Sequence, residues 1–304
     1  MNDAIDKQQV PAGRVYLLLV LTTFFWGGSF LFNKLGLREI PPAHFVLFRF
    51  ALATLLMSVV CARRLRGLTV VILRKGFIVG LALGMTNLSF VFGVKGTTIS
   101  RAGVLNNLFV LFIPLICAAV WRERIGRINL VGIALASIGI FLLAAGGGGF
   151  NRGDLISTIC ATFIALHIIA VSKVLSDEDV YLTSLVQFAT VTALAGIATL
   201  PFPGDSFSIG AVGAVSLVYC AVLPTVLCFT LQNTYQRYTT PTRAGLIYTL
   251  DPVWSLLAGF IFLGERLTGR EWLGCGVIFL AVLFPLLVRF SIERRLLGWY
   301  VEER

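Results

Sequence analysis

Thr97-Thr98-Ile99-Ser100-Arg101-Ala102-Gly103 is written again, with two changes, as Thr239-Thr240-Pro241-Thr242-Arg243-Ala244-Gly245. Adding 142 carries each residue to its partner, and the register holds without a gap. Leu108 meets Leu250, Leu115 meets Leu257, Glu123-Arg124 meets Glu265-Arg266, and Gly132 meets Gly274. A duplication of this length sets the architecture before any local assignment. The rest of the chain is read outward from it.

Of the 304 residues 57% are hydrophobic and 13% charged, and the mean hydropathy is +0.89. That is far more apolar than a soluble domain and marks an integral membrane protein. The net charge of +10 sits in short segments between apolar runs, not on one face, so it signals loop bias and no nucleic-acid partner. Cys61, Cys117, Cys160, Cys220, Cys228 and Cys275 lie in or beside apolar runs without C-x-x-C spacing. They read as reduced thiols, with no metal and no cofactor expected. The first apolar run is too long for a signal peptide and has no small-residue cleavage pattern.

A bilayer core takes about 20 apolar residues per helix. Ten such segments can be drawn, at 15–37, 41–62, 75–94, 98–121, 128–145, 153–175, 180–200, 210–235, 241–263 and 269–290. Their continuous apolarity selects helices over a barrel, so the expected fold is all-α and polytopic. One side of the membrane collects Lys7, Arg14, Arg63, Arg64, Arg66, Arg74, Lys75, Arg122, Arg124, Arg127, Lys173, Arg237, Arg243, Arg289, Arg294, Arg295 and Arg304. The other has only Arg38, Lys95, Arg101, Arg152, Arg266 and Arg270. Both termini are therefore expected in the cytoplasm. The run Gly146-Gly147-Gly148-Gly149 separates the halves. The organisation expected is a first five-helix repeat over 1–145, a Gly-rich linker over 146–152, a second repeat over 153–290 and a basic cytoplasmic tail over 291–304. Five helices per half is an odd number, so the copies should be inverted, the arrangement that supports alternating access.

Comparing the copies exposes a polar and aromatic face. Asn106, Phe109 and Ile113 share one side of segment four, and their partners in segment nine are Tyr248, Asp251 and Ser255. Each segment carries a mid-helix proline, Pro114 or Pro252, expected to kink it and free carbonyls or merely to shape packing. Asp251 is the acidic residue deep in an apolar segment, at a cost of about 3 kcal/mol. It can bind a substrate ammonium, carry a coupling proton or pair with Arg49. Arg49 reads as a structural tie to backbone carbonyls ahead of a substrate clamp, and His167 as a relay, a cavity donor or a packing residue. Trp26, Asn87, Phe90, Phe163, Gln232 and Trp254 complete the substrate-binding candidates, suited to a ligand with an apolar body and a polar end. Glu123-Arg124 and Glu265-Arg266 read as structural ion pairs that end segments four and nine. The Gly76, Gly80 and Gly84 stripe reads as close helix packing.

Trp26-Gly27-Gly28-Ser29-Phe30, Arg49-Phe50, the duplicated Arg-Ala-Gly starts, and Asp251-Pro252 followed by Leu263-Gly264-Glu265-Arg266-Leu267-Thr268 resemble the EamA-type transporters of the drug/metabolite transporter superfamily. The first copy departs from that last motif, reading Val120-Trp121-Arg122-Glu123-Arg124 with no glycine before its glutamate and no acid-proline pair. The resemblance implies a ten-helix inverted-repeat carrier in the cytoplasmic (inner) membrane that moves small organic solutes, with exporters of aromatic and neutral amino acids the nearest match. The partners expected are a small-molecule substrate and the lipid bilayer, with the chain a monomer. A sugar-phosphate or nucleotide-sugar carrier and a drug carrier are the alternatives within the superfamily. A channel, or a membrane enzyme with converging catalytic groups, fits less well.

Overall fold

Apolar runs of this length have no water for their backbone, so each closes its own N–H and C=O groups in a helix. The computed structural model describes residues 12–121, 127–144, 149–175, 178–201, 207–238, 241–270, 272–281 and 284, and among these there is no strand. The helices are α1 (Ala12–Gly36), α2 (Pro42–Cys61), α3 (Val70–Gly96), α4 (Ile99–Asn106), α5 (Phe109–Trp121), α6 (Arg127–Ala144), α7 (Arg152–Val174), α8 (Val180–Thr199), α9 (Ala211–Cys220), α10 (Cys228–Tyr235), α11 (Pro241–Tyr248), α12 (Asp251–Leu263) and α13 (Trp272–Ala281). A π-helical stretch, Ala221–Leu227, joins α9 to α10. Seven stretches are long and apolar enough to cross a membrane, among them Ile99–Val120 and Ala211–Tyr238, and three shorter apolar helices accompany them. Glu123, Arg124, the glycines 146–148 and the tail lie outside the described residues.

Segments four and nine are broken helices, and the breaks fall in register. Leu108 N–H donates to Leu105 O and Leu111 N–H to Leu108 O, while Leu250 N–H donates to Ile247 O and Val253 N–H to Leu250 O. Each bond in the second set is the first shifted by 142. Four-residue bonding gives way to a three-residue turn at the same place in both copies. Pro252 follows its break directly, in the first turn of α12, where a missing N–H costs nothing; the expectation that Pro114 marks a kink is corrected, since it lies inside α5, beyond the break at Leu108.

The repeats interlock through α2, α3, α7 and α8. Phe50-Ala51 and Thr54 of α2 match Phe188-Ala189 and Thr192 of α8 in sequence. Leu47 lies nearest Gly196, Thr54 bonds Thr192 at 3.2 Å, and beyond the end of α2 Gly67 faces Leu182. The matched helices therefore run antiparallel. Gly76, Gly80 and Gly84 of α3 lie against Val186, Thr190 and Leu194 of α8, where a Cβ would come within about 2.5–2.7 Å. That stripe is helix packing, as its spacing implies. The described cysteines are free thiols.

At one end of the bundle, polar groups tie the halves together. Asp154, fully buried, takes Arg101 Nη2 at 2.6 Å and the Thr97 hydroxyl at 2.6 Å, and closes a capping box with Asn151 at the start of α7. Lys34 Nζ donates to Val94 O at 2.7 Å and Thr97 O at 2.5 Å, closing the C-terminus of α3. Glu265 accepts from the backbone N–H of Ile99 at 2.9 Å, from that of Ser100 at 3.0 Å and from the Ser100 hydroxyl at 2.6 Å. The expected pairing of Glu265 with Arg266 is thereby corrected. The carboxylate caps α4 of the opposite repeat, where the helix dipole favours a negative charge. Arg266 instead lies over the Phe260 ring, 5.1 Å from its centroid. Gly264, at φ +63°, supplies the left-handed turn that ends α12 and aims Glu265 across the interface.

The Asp154–Arg101 pair carries a stability prediction. Asp154→Ala takes the counter-charge from a buried guanidinium that keeps Gly149 O at 2.7 Å, and breaking a buried pair from one side costs about 3–5 kcal/mol. The thermal midpoint of the detergent-solubilised protein should fall, and restoring a carboxylate with Asp154→Glu should recover part of the loss.

Candidate functional site

The breaks in α4/α5 and α11/α12 face a central cavity of about 100 Å³. By the same measure one water needs roughly 10–15 Å³, so the space holds several waters or a small solute in their place. Its walls come from Trp26, Ser29 and Phe30 of α1, Arg49 of α2, Thr86, Asn87 and Phe90 of α3, Gly103 and Asn106 of α4, Asn107, and Phe109 of α5. From the second half come Ile164, His167 and Ile168 of α7, Phe229 and Gln232 of α10, Tyr248 of α11, and Asp251 and Pro252 of α12. The aromatic rings interlock. Trp26 stands edge-on to Tyr248 at 5.2 Å and tilted to Phe229 at 5.4 Å, and Phe30 stands edge-on to Phe90 at 4.8 Å.

The polar lining is oriented from behind. Gln236, fully buried, donates through Nε2 to Ile168 O at 2.9 Å and to Ser172 Oγ at 2.8 Å. A backbone carbonyl can only accept, so the amide must present its nitrogen there and its oxygen to the other side. That oxygen takes Gln232 Nε2 at 2.8 Å and the Tyr248 hydroxyl at 3.2 Å. Among the described residues Gln232 Oε1 is left without a partner, and so are Asn106 Oδ1, Asn107 Oδ1, Asp251 Oδ1 and His167 Nε2. Asn87 spends its Nδ2 on Leu83 O at 2.9 Å. The cavity thus presents hydrogen-bond acceptors that no described residue fills. Buried acceptors of this kind are satisfied by protein, water or ligand in stable structures.

The π-helical stretch shapes the opposite wall. Pro224 has no N–H, and the looser ladder around it leaves carbonyls for side chains. Cys220 O accepts from Arg49 Nε at 3.1 Å and from the Thr225 hydroxyl at 2.7 Å, while Pro224 O accepts from Trp26 Nε1 at 3.0 Å. Thr225 Oγ1 also takes Arg49 Nε, at 2.7 Å. Arg49 and Asp251 form no ion pair with one another, which corrects that alternative for Asp251.

Comparison with known proteins agrees with this two-part build. The sequence pattern of the EamA-like transporter family matches the chain twice, over residues 13–145 and 151–287. The chain belongs to the EamA-like transporter family. It is accordingly a multi-pass membrane transporter of the drug/metabolite type. An uncharacterized transporter of Archaeoglobus fulgidus is 27% identical over 265 residues, covering 87% of this chain and 83% of the relative. A protein of Salmonella typhimurium named "Probable amino-acid metabolite efflux pump" is 27% identical, covering 91% and 96%. One of the same name from Escherichia coli is 26% identical, covering 86% and 91%. A solved crystal structure superposes with a TM-score of 0.66 at 18% identity, covering 92% of this chain and 99% of that chain, and shows the fold alone.

In this EamA-like transporter, Trp26, Asn87, Phe90, Asn106, Phe109, His167, Gln232, Tyr248 and Asp251 come together at one cavity. Trp254 and Phe163 stand outside its lining. Trp254 packs on α1, where a Cβ on Gly27 would fall on its Cβ, and its Nε1 donates to Thr23 Oγ1 at 3.2 Å. Phe163 is half-buried, and its neighbour Ile164 takes the lining position at that level. Arg49 and Pro252, read as structural, both line the cavity. Ser29, Phe30 and Phe229 escaped the sequence reading although each lies three or four residues from a predicted lining residue, a signal that helical spacing carries. Gln236 carries the same spacing, four residues from Gln232, yet it touches the cavity only through Gln232 and Tyr248.

Proposed function

We propose that this transporter exports amino acids, aromatic or neutral, across the cytoplasmic membrane by alternating access. Ten membrane-spanning helices in two inverted halves, with both termini cytoplasmic, make up the working unit, a monomer. The observation that carries the reading is the cavity's make-up: a ring of aromatic side chains for an apolar body, unpartnered acceptors for an ammonium group, and one acid and one guanidinium that do not neutralise each other. Two relatives named as amino-acid metabolite efflux pumps support the same substrate class. Asp251, the acid in the wall, is the coupling group.

Purified protein in liposomes preloaded with unlabelled phenylalanine should take up labelled phenylalanine by saturable counterflow. Absence of movement for every amino acid, with and without a proton gradient, overturns the proposal. A channel would give flux without counterflow. Arg49 in the cavity favours one second reading, a carrier of phosphorylated sugars, since phosphate needs a fixed cation. Competition by a sugar phosphate in place of phenylalanine would establish that reading.

A further inference from the structure

The geometry points to Arg49 as the subsite for the substrate's carboxylate, an inference that rests on the amino-acid reading and deepens it. Arg49 is 3% exposed and lines the cavity. A purely structural arginine spends its whole fork on carbonyls. This one spends only Nε, on Cys220 O and Thr225 Oγ1, and among the described residues neither Nη group has a protein partner. Two acceptors on Nε hold the guanidinium in the cavity wall and leave the edge bearing both Nη groups unspent. That edge is the planar fork that binds a carboxylate through two parallel hydrogen bonds. The Phe50 ring, 5.3 Å away, flanks the group without using a donor.

The other polar atoms agree on the ligand's second charge. Asn106 Oδ1, Gln232 Oε1 and Asp251 Oδ1 are buried acceptors without partners, and an ammonium offers three donors. A buried cation and a buried acid left unpaired in one cavity are each costly, and a single zwitterion satisfies both. The α-carboxylate lies on Arg49, the α-ammonium among the acceptors, and the side chain against Trp26 and Phe229. A dianionic phosphate would satisfy Arg49 while facing Asp251 and the acceptor oxygens, so the cavity favours the monocarboxylate.

The test compares inhibition of phenylalanine counterflow by phenylalanine and by phenethylamine, which lacks the carboxylate. The wild-type protein should prefer phenylalanine by about ten- to a hundredfold, the range of a charge-assisted pair. Arg49→Gln should narrow that preference to about threefold or less. Thr225→Val keeps the guanidinium, removes one of its tethers, and should narrow the preference partway, so the test survives if Arg49→Gln fails to fold. Wild-type protein that transports phenylalanine yet binds phenethylamine equally well overturns the carboxylate subsite and leaves amino-acid export standing. An unchanged preference in both variants overturns it as well. Wild-type protein that moves no amino acid overturns the parent reading, and this one with it.

Discussion

Asp251→Asn is expected to abolish the response of transport to a proton gradient while leaving the protein folded and inserted. The residue opens α12 just after the break, and its Oδ1 is buried without a partner. Asparagine keeps the shape and one carbonyl oxygen but removes the charge, whose burial in a membrane segment costs about 3 kcal/mol. The variant should therefore express and melt no worse than wild type. Gradient-driven accumulation in proteoliposomes should fall by about tenfold or more, and the initial rate should lose its slope between acid and neutral pH. The register partner of Asp251 is Phe109, so the first repeat has no carboxylate at the matched position to take over. A variant with the wild-type pH profile would remove Asp251 from coupling.

Gly103→Ala should be nearly as damaging, for a steric reason. A Cβ there would fall on Ser255 Oγ and 2.9 Å from Ser255 Cβ, so α4 and α12 could no longer cross where they do. Its register partner, Gly245, is in a different situation. A Cβ on Gly245 would meet Ile113 Cδ1 at 3.6 Å and Phe109 Cε2 at 3.7 Å, ordinary contact distances. One crossing is closed and its repeat-related counterpart is looser, an asymmetry that the proposed alternating access would require of a single state. Gly103→Ala should hold open the end where Glu265 caps α4, and Gly245→Ala should oppose closure at the other. Both should slow transport, Gly103→Ala by about tenfold or more. Labelling of Asn87→Cys by an impermeant thiol reagent, in a cysteine-depleted background, should rise from opposite sides of the membrane in the two variants. Shifts in the same direction would contradict the pairing of these glycines as counterparts.

Much of the site was legible from residues alone because a duplicated helix compares like with like. Asn106, Phe109, Tyr248 and Asp251 stood out as substitutions at matched angular positions, and angular position on a helix is a local property set by 3.6 residues per turn. Glu265 was misread for the complementary reason. Its neighbour in sequence is Arg266, but Gly264 turns the chain so that its neighbour in space is the N-terminus of α4. Arg49 looked like a tie to carbonyls, and half of that is true. Which of its nitrogens are tied depends on a π-helical stretch some 170 residues away, and no spacing rule predicts that Cys220 O is free to accept. Trp254 was counted among the substrate-binding candidates as an aromatic of segment nine, yet the direction in which α12 crosses α1 sends it against Gly27.

By itself, then, the amino-acid sequence determined the membrane-embedded helical class, the two copies and the register between them, because apolar length and helical period are one-dimensional quantities that a chain carries wherever it folds. The tertiary structure decided where the helices break, which buried polar atoms are satisfied and which are left facing the cavity, and that Ile99-Ser100 meets Glu265 from the far repeat. Those outcomes depend on crossing angles and on donors and acceptors brought together across more than a hundred residues. Hydrogen bonding of that kind is settled only when both partners have a fixed place in three dimensions.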